Sequence, residues 1–104
     1  MRRVLFFYAD YCGLCRAMER SLVEPLKKRG VNVSRIDVMN NKHVATAYKI
    51  KKLPTTIILD HDGEIYSRFE GFADLQTVSN QAQDYNGVNL TGTYEGEGGV
   101  NKIA

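Results

Sequence analysis

Cys12 and Cys15 are the only cysteines in this 104-residue chain, and they stand where an apolar run, Phe6-Phe7-Tyr8-Ala9, gives way to a helical pattern. Residues three apart on a helix lie about 5–6 Å from each other, within the Cα separation that a disulfide spans. Such a pair can close and open reversibly. At a helix N-terminus the unpaired N–H groups and partial positive charge favour a thiolate. The first cysteine is therefore expected to titrate below the free-thiol value of about 8.5 and to act as nucleophile. Cys15, a turn deeper and facing the sheet, is expected to be the resolving thiol that attacks a mixed disulfide on Cys12. Dithiol–disulfide exchange competes with two plainer readings, an inert pair and a metal site. Zinc requires four ligands, and the two histidines available are His43 and His61. His61 falls in a hairpin turn at the other end of the sheet, so no metal and no cofactor are expected.

A chain of this length with 43% hydrophobic content is one small domain with a single core. Its formal net charge of +2 is too small for general nucleic-acid binding, and no basic stripe interleaved with aromatics is present. The opening Met1-Arg2-Arg3-Val4-Leu5-Phe6-Phe7 has an apolar run too short for a secretory leader, and it meets Asp10 at once. No membrane segment is expected. Two lone cysteines with a two-residue gap suit catalysis in a reducing compartment better than a structural staple, so the expected location is cytoplasmic and the expected state a monomer.

The elements that must position the cysteines follow in order. Val4 to Tyr8 is apolar throughout, as in a central strand covered on both faces. In the first helix Cys15, Met18, Leu22 and Leu26 form the buried stripe, Pro25 predicts a kink or break near Ser21 to Pro25, and Gly30 ends it. Val33 to Val38 reads as a second strand, parallel to the first because a helix intervenes. Asn40 or Asn41 could cap a short helix carrying Val44, Ala45, Ala47 and Tyr48. Thr55 to Leu59 is a β-branched strand that Asp62-Gly63 turns back into Ile65 to Glu70. Asp74 then caps a last helix with Leu75, Val78, Ala82 and Tyr85 on one face. The result is an α/β domain over residues 1–85, βαβαββα, with a four-stranded mixed sheet flanked by helices. Residues 86–104 carry five glycines among few apolar residues and read as a flexible tail.

Tyr11-Cys12-Gly13-Leu14-Cys15 after an apolar strand, followed some forty residues on by Lys51-Lys52-Leu53-Pro54-Thr55, resembles the thioredoxin family over about Arg3 to Tyr85. The resemblance implies a thioredoxin-like fold and a disulfide oxidoreductase in which Cys12 attacks and Cys15 resolves. It also implies a cis Leu53–Pro54 bond facing the cysteines, with the Leu53 backbone free to pair with an extended substrate peptide. Tyr11, Gly13, Leu14, Leu53, Pro54 and Gly71 become the substrate-binding candidates. Protein disulfides are the implied substrates and a thioredoxin-reductase-type protein the implied electron donor. Positive charge from Arg16, Lys51 and Lys52 could favour a thiolate and draw acidic partners, though surface lysines often carry no role.

Departures from the family pattern are concentrated at the site. Tyr11 stands for the usual tryptophan, Leu14 for proline, and Phe6 for a buried acid, so deprotonation of Cys15 is expected to use water or the substrate. Arg20 stands near the usual kinking proline. The chain also begins at the cysteine strand, which is a glutaredoxin-like topology, and Gly71 and Asp74 retain part of a glutathione site. Against that alternative, Asp10 lies where glutaredoxins usually place a cation, and Phe72 replaces their second glycine. A third reading is a thioredoxin-fold subunit that binds a larger enzyme.

Overall fold

The structure, a computed structural model, describes residues 1–83. Strand β1 (Arg3–Tyr8) lies inside a four-stranded sheet of order β2-β1-β3-β4, with β2 (Val33–Asp37) parallel to it and β3 (Thr55–Leu59) antiparallel. Strand β4 (Ile65–Glu70) pairs antiparallel with β3 at the edge. Because side chains alternate along a strand, β1 feeds two separate cores. Val4 and Phe6 pack with Met18, Leu22, Leu26 and Val78 on one face, while Leu5 and Phe7 join Ile57, Leu59 and Tyr48 on the other. The uniformly apolar strand thus occupies the central, doubly covered place expected of it.

Between β1 and β2 runs one helical stretch in three parts: α1 (Gly13–Met18), a π-helical segment (Glu19–Val23) and α2 (Glu24–Lys28). Pro25 has no N–H to donate, and its ring would press on the carbonyl one turn back. The chain answers by widening rather than breaking: the Glu24 N–H reaches back five residues to the Glu19 carbonyl. The wide turn brings Val23 into the core beside the expected Cys15, Met18, Leu22 and Leu26, all at most 1% exposed. Gly30, at φ +83°, closes the run. The Val31 N–H returns to the Leu26 carbonyl and the Gly30 N–H to that of Lys27, a paired termination that needs the left-handed residue.

Helix α3 (Lys42–Ala47) lies between β2 and β3, and α4 (Leu75–Ala82) follows β4. In α3 the sequence expectation needs correction. Asn41 occupies the cap position without capping, because its side-chain amide donates to the Asp37 carbonyl instead. Val44 and Ala47 are exposed, and Tyr48, just past the helix, is what packs on Phe7 at a ring separation of 5.6 Å. Val38 likewise falls outside β2. The α4 cap is as read: the Asp74 carboxylate accepts from the Thr77 N–H at 2.9 Å and hydroxyl at 2.7 Å. Gly63, at φ +86°, turns the β3–β4 hairpin, and a register shift after Ile58 sets Tyr66 out of the ladder as a bulge. No helix among the described residues is long and apolar enough to cross a membrane. Tyr85 and the tail from Asn86 lie outside the described residues.

Candidate active site

The end of β1 delivers the cysteines. After Tyr8 the backbone turns, with the Cys12 N–H bonded to the Ala9 carbonyl at 3.1 Å, and α1 starts at the next residue. Cys12 is the helix N-cap, and its Sγ accepts from the Cys15 N–H at 3.1 Å. A sulfur there performs the work that a serine or aspartate oxygen does at other helix starts, and a negative sulfur performs it better. Cys12 and Cys15 are joined as a disulfide with Cα atoms 5.2 Å apart. Their burial differs: Cys12 is half-buried and reachable, while Cys15 is 1% exposed. That asymmetry suits an attacking sulfur and a resolving one.

Sheet register brings up the second half. Phe7 pairs with Thr55, so the residue before Thr55, Pro54, sits beside the end of β1. Pro54 is buried and the Leu53–Pro54 bond is cis, as expected. The Leu53 backbone makes no hydrogen bond among the described residues. Gly71, at φ +85°, donates its N–H to the Pro54 carbonyl at 2.7 Å, which ties the end of β4 to the proline loop. Around these parts Tyr11, Leu14 and Phe72 stand 73%, 45% and 70% exposed, an apolar rim that water would leave if a partner covered it. Gly13 lies open beside them, and its missing Cβ faces the Arg16 guanidinium at 3.9 Å.

One feature escaped the sequence reading. A small cleft of about 100 Å³ reaches Cys15 and is lined also by Tyr8, Asp10, Glu19 and Arg35. Arg35 of β2 pairs with the Glu19 carboxylate and lies 4.5 Å over the Tyr8 ring, and the hydrogen bond to Glu19 is the chief cause raising its pKa. Charged groups therefore border the buried sulfur although Phe6 fills the place of the family's acid. The signal was present as Glu19, one helical turn beyond Cys15, but its cation comes from β2, and only the parallel register places Arg35 there. Arg16 is otherwise engaged, donating to the Asp10 carbonyl at 2.6 Å.

Fold and site together define a dithiol–disulfide domain of thioredoxin-like architecture. The thioredoxin family model matches residues 2–84, and the chain belongs to that family. It is 35% identical to thioredoxin-1 of Drosophila melanogaster over 80 residues, covering 74% of this chain and 72% of that protein. It is 36% identical to chloroplastic thioredoxin Y1 of Arabidopsis thaliana over 80 residues, 75% of this chain but 46% of the relative. Against thioredoxin 2 of Plasmodium berghei the identity is 43% over 58 residues, 54% of this chain and 37% of the relative. The chain thus spans less than half the length of these last two relatives. Among solved structures, a mutant thioredoxin from Halobacterium salinarum superposes with a TM-score of 0.73 at 31% identity, over 84% of this chain and 76% of that one.

Proposed function

We propose that this protein reduces protein disulfides through the Cys12–Cys15 pair. The observation that carries the reading is the unequal burial of two bonded sulfurs at a helix start, the reachable one serving as the cap. In the reduced form the Cys12 thiolate attacks one sulfur of a substrate disulfide. A mixed disulfide forms and the substrate's other sulfur leaves as a thiolate. The Cys15 thiol then loses its proton and attacks the Cys12 Sγ. The second substrate thiolate leaves, and the pair closes with two electrons passed on. An extended substrate beside the reactive sulfur would find the unpaired Leu53 backbone available for a short strand pairing.

The donor that reopens the pair is, in this proposal, a thioredoxin-reductase-type protein, and the working location the cytoplasm, where lone cysteine pairs stay reduced between turnovers. The proposal takes the protein as a monomer, with Cys12, Cys15 and Pro54 as the parts of the site. Paired assays test the reading. Insulin reduction driven by a thioredoxin reductase system should outrun glutathione-driven reduction of a glutathione mixed disulfide. The opposite order by tenfold, about 1.4 kcal/mol in barrier, would replace it with a glutathione-dependent one.

A further inference from the structure

Tyr11 and Leu53 are two walls of a second, larger hollow of about 390 Å³ beside the disulfide, floored by Val38, Ala45 and Ile50 and rimmed by Lys42 and Lys51. Its charge is one-sided. No carboxylate lines it, and among the described residues neither lysine is held in an ion pair. Asp37, the residue before Val38, has its carboxylate occupied by the Met39 N–H and the Asn40 amide. Asp10, next to Tyr11 in sequence, lines the other cleft with Cys15 and Glu19. An apolar floor under two cations selects a ligand that is both apolar and acidic.

We propose that this groove receives an acidic, extended segment of the protein substrate, flanking its target cysteine. A glutamate or aspartate side chain reaches Lys42 and Lys51 while an apolar neighbour covers Val38 and Ile50. The inference rests on the disulfide-reductase reading and adds the class of substrate that this site prefers. Tyr11 belongs to both places, lying next to Cys12 in the chain and forming a wall of the groove, so a segment seated there has its cysteine at the reactive sulfur. Surface ion pairs of this kind are individually weak, about 0.7 kcal/mol or threefold each, so two give roughly a tenfold preference at low salt.

The test uses the full chain and two fluorogenic peptide disulfides, identical except that glutamates or lysines flank the target cysteine. Dithiothreitol recycles the protein. The expected result is a kcat/KM ratio favouring the acidic peptide by roughly tenfold at low salt, shrinking toward one at about 1 M salt, where screening acts within ~3 Å. Lys42→Glu with Lys51→Glu should erase or invert the ratio. A wild-type ratio near one, or a preference that survives the double reversal, would overturn the inference while leaving the reductase reading standing. Reduction of neither peptide would overturn the reductase reading and the inference with it. A concentration-dependent dimer dispersed by Lys51→Glu would put a second copy in the groove, and would also overturn the inference.

Discussion

The two ends of the sheet solve opposite problems. At the end away from the cysteines, Arg2 is a clasp: its backbone N–H bonds the Ala82 carbonyl, its guanidinium bonds Asp60 and the Gln81 carbonyl, and it covers the Tyr66 ring at 3.6 Å. One side chain joins the chain start, the hairpin and α4. At the cysteine end, Tyr11, Leu14 and Phe72 project into water and the Leu53 backbone is unpaired. Groups that a stability argument would cover or satisfy are left open there. The comparison teaches that one side chain can tie three elements together at one end, while the other end keeps an unpaired backbone and an exposed rim beside its reactive sulfur for a partner.

The largest expected effect breaks the open end chemically. Cys12→Ser should remove disulfide reduction by several orders of magnitude, whereas Cys15→Ser should still react once and hold its substrate as a mixed disulfide, visible by mass on a non-reducing gel. Alkylation rates against pH should show one early-titrating thiol. If that thiol vanished in Cys15→Ala and survived in Cys12→Ala, the two roles would be exchanged.

At the closed end Arg2→Ala should cost about 1–2 kcal/mol, from a lost ring contact, a lost partner for Asp60 and an unpaired Gln81 carbonyl, with Cys12 alkylation unchanged. At about 4–8 °C per kcal/mol for a domain of this size, thermal melting resolves it. Tyr11→Ser should do the reverse, shifting stability by no more than ~0.5 kcal/mol while lowering kcat/KM on insulin several-fold. Equal losses of stability from both substitutions would dissolve the contrast between the ends.

The smallest effect is a pH dependence with a contribution from each end. Asp60 is held below the ordinary carboxylate range first by the His61 N–H and then by Arg2, and Asp74 by the Thr77 hydroxyl and N–H. A depressed folded pKa means that the unfolded chain binds protons first as the solution is acidified. Both contributions are thus present above the ordinary carboxylate value near 3.9 and fade as pH falls through the folded one. Asp60→Asn and Asp74→Asn should each flatten the acid limb of a melting-temperature profile. Identical limbs in wild type and both variants would remove this account.

Much of this architecture was legible in one dimension because it rests on local rules. An all-apolar strand, a glycine after a helix, Asp-Gly in a hairpin and an aspartate before a helix each correspond to one backbone requirement, and β1, Gly30, Gly63 and Asp74 meet them. The kink at Pro25 was readable, but its form was not, since widening and breaking both relieve the same missing N–H. Asn41 has the residue type of a cap but does not act as one, because Asp37, four residues back, offers its side chain a competing carbonyl. At the site, the cysteines and Pro54 announced themselves by type and spacing. Arg35 beside Glu19, and Lys42 beside Tyr11, did not, because each pairing joins elements far apart in the chain.

The sheet order carries a kinetic consequence. Strand β1 with its helices and β2 forms one contiguous half, and the β3–β4 hairpin forms another. The two are stitched by β1–β3 pairs such as Phe7 with Thr55, 48 residues apart. Closing so long a loop costs more entropy than closing either half, so that joining is expected late in folding. The cysteines belong to the first half, and Pro54 and Gly71 to the second. A chain refolding from denaturant should therefore regain helical circular dichroism before it regains insulin reduction, and enzymatic competence becomes a reporter of the last large-scale step.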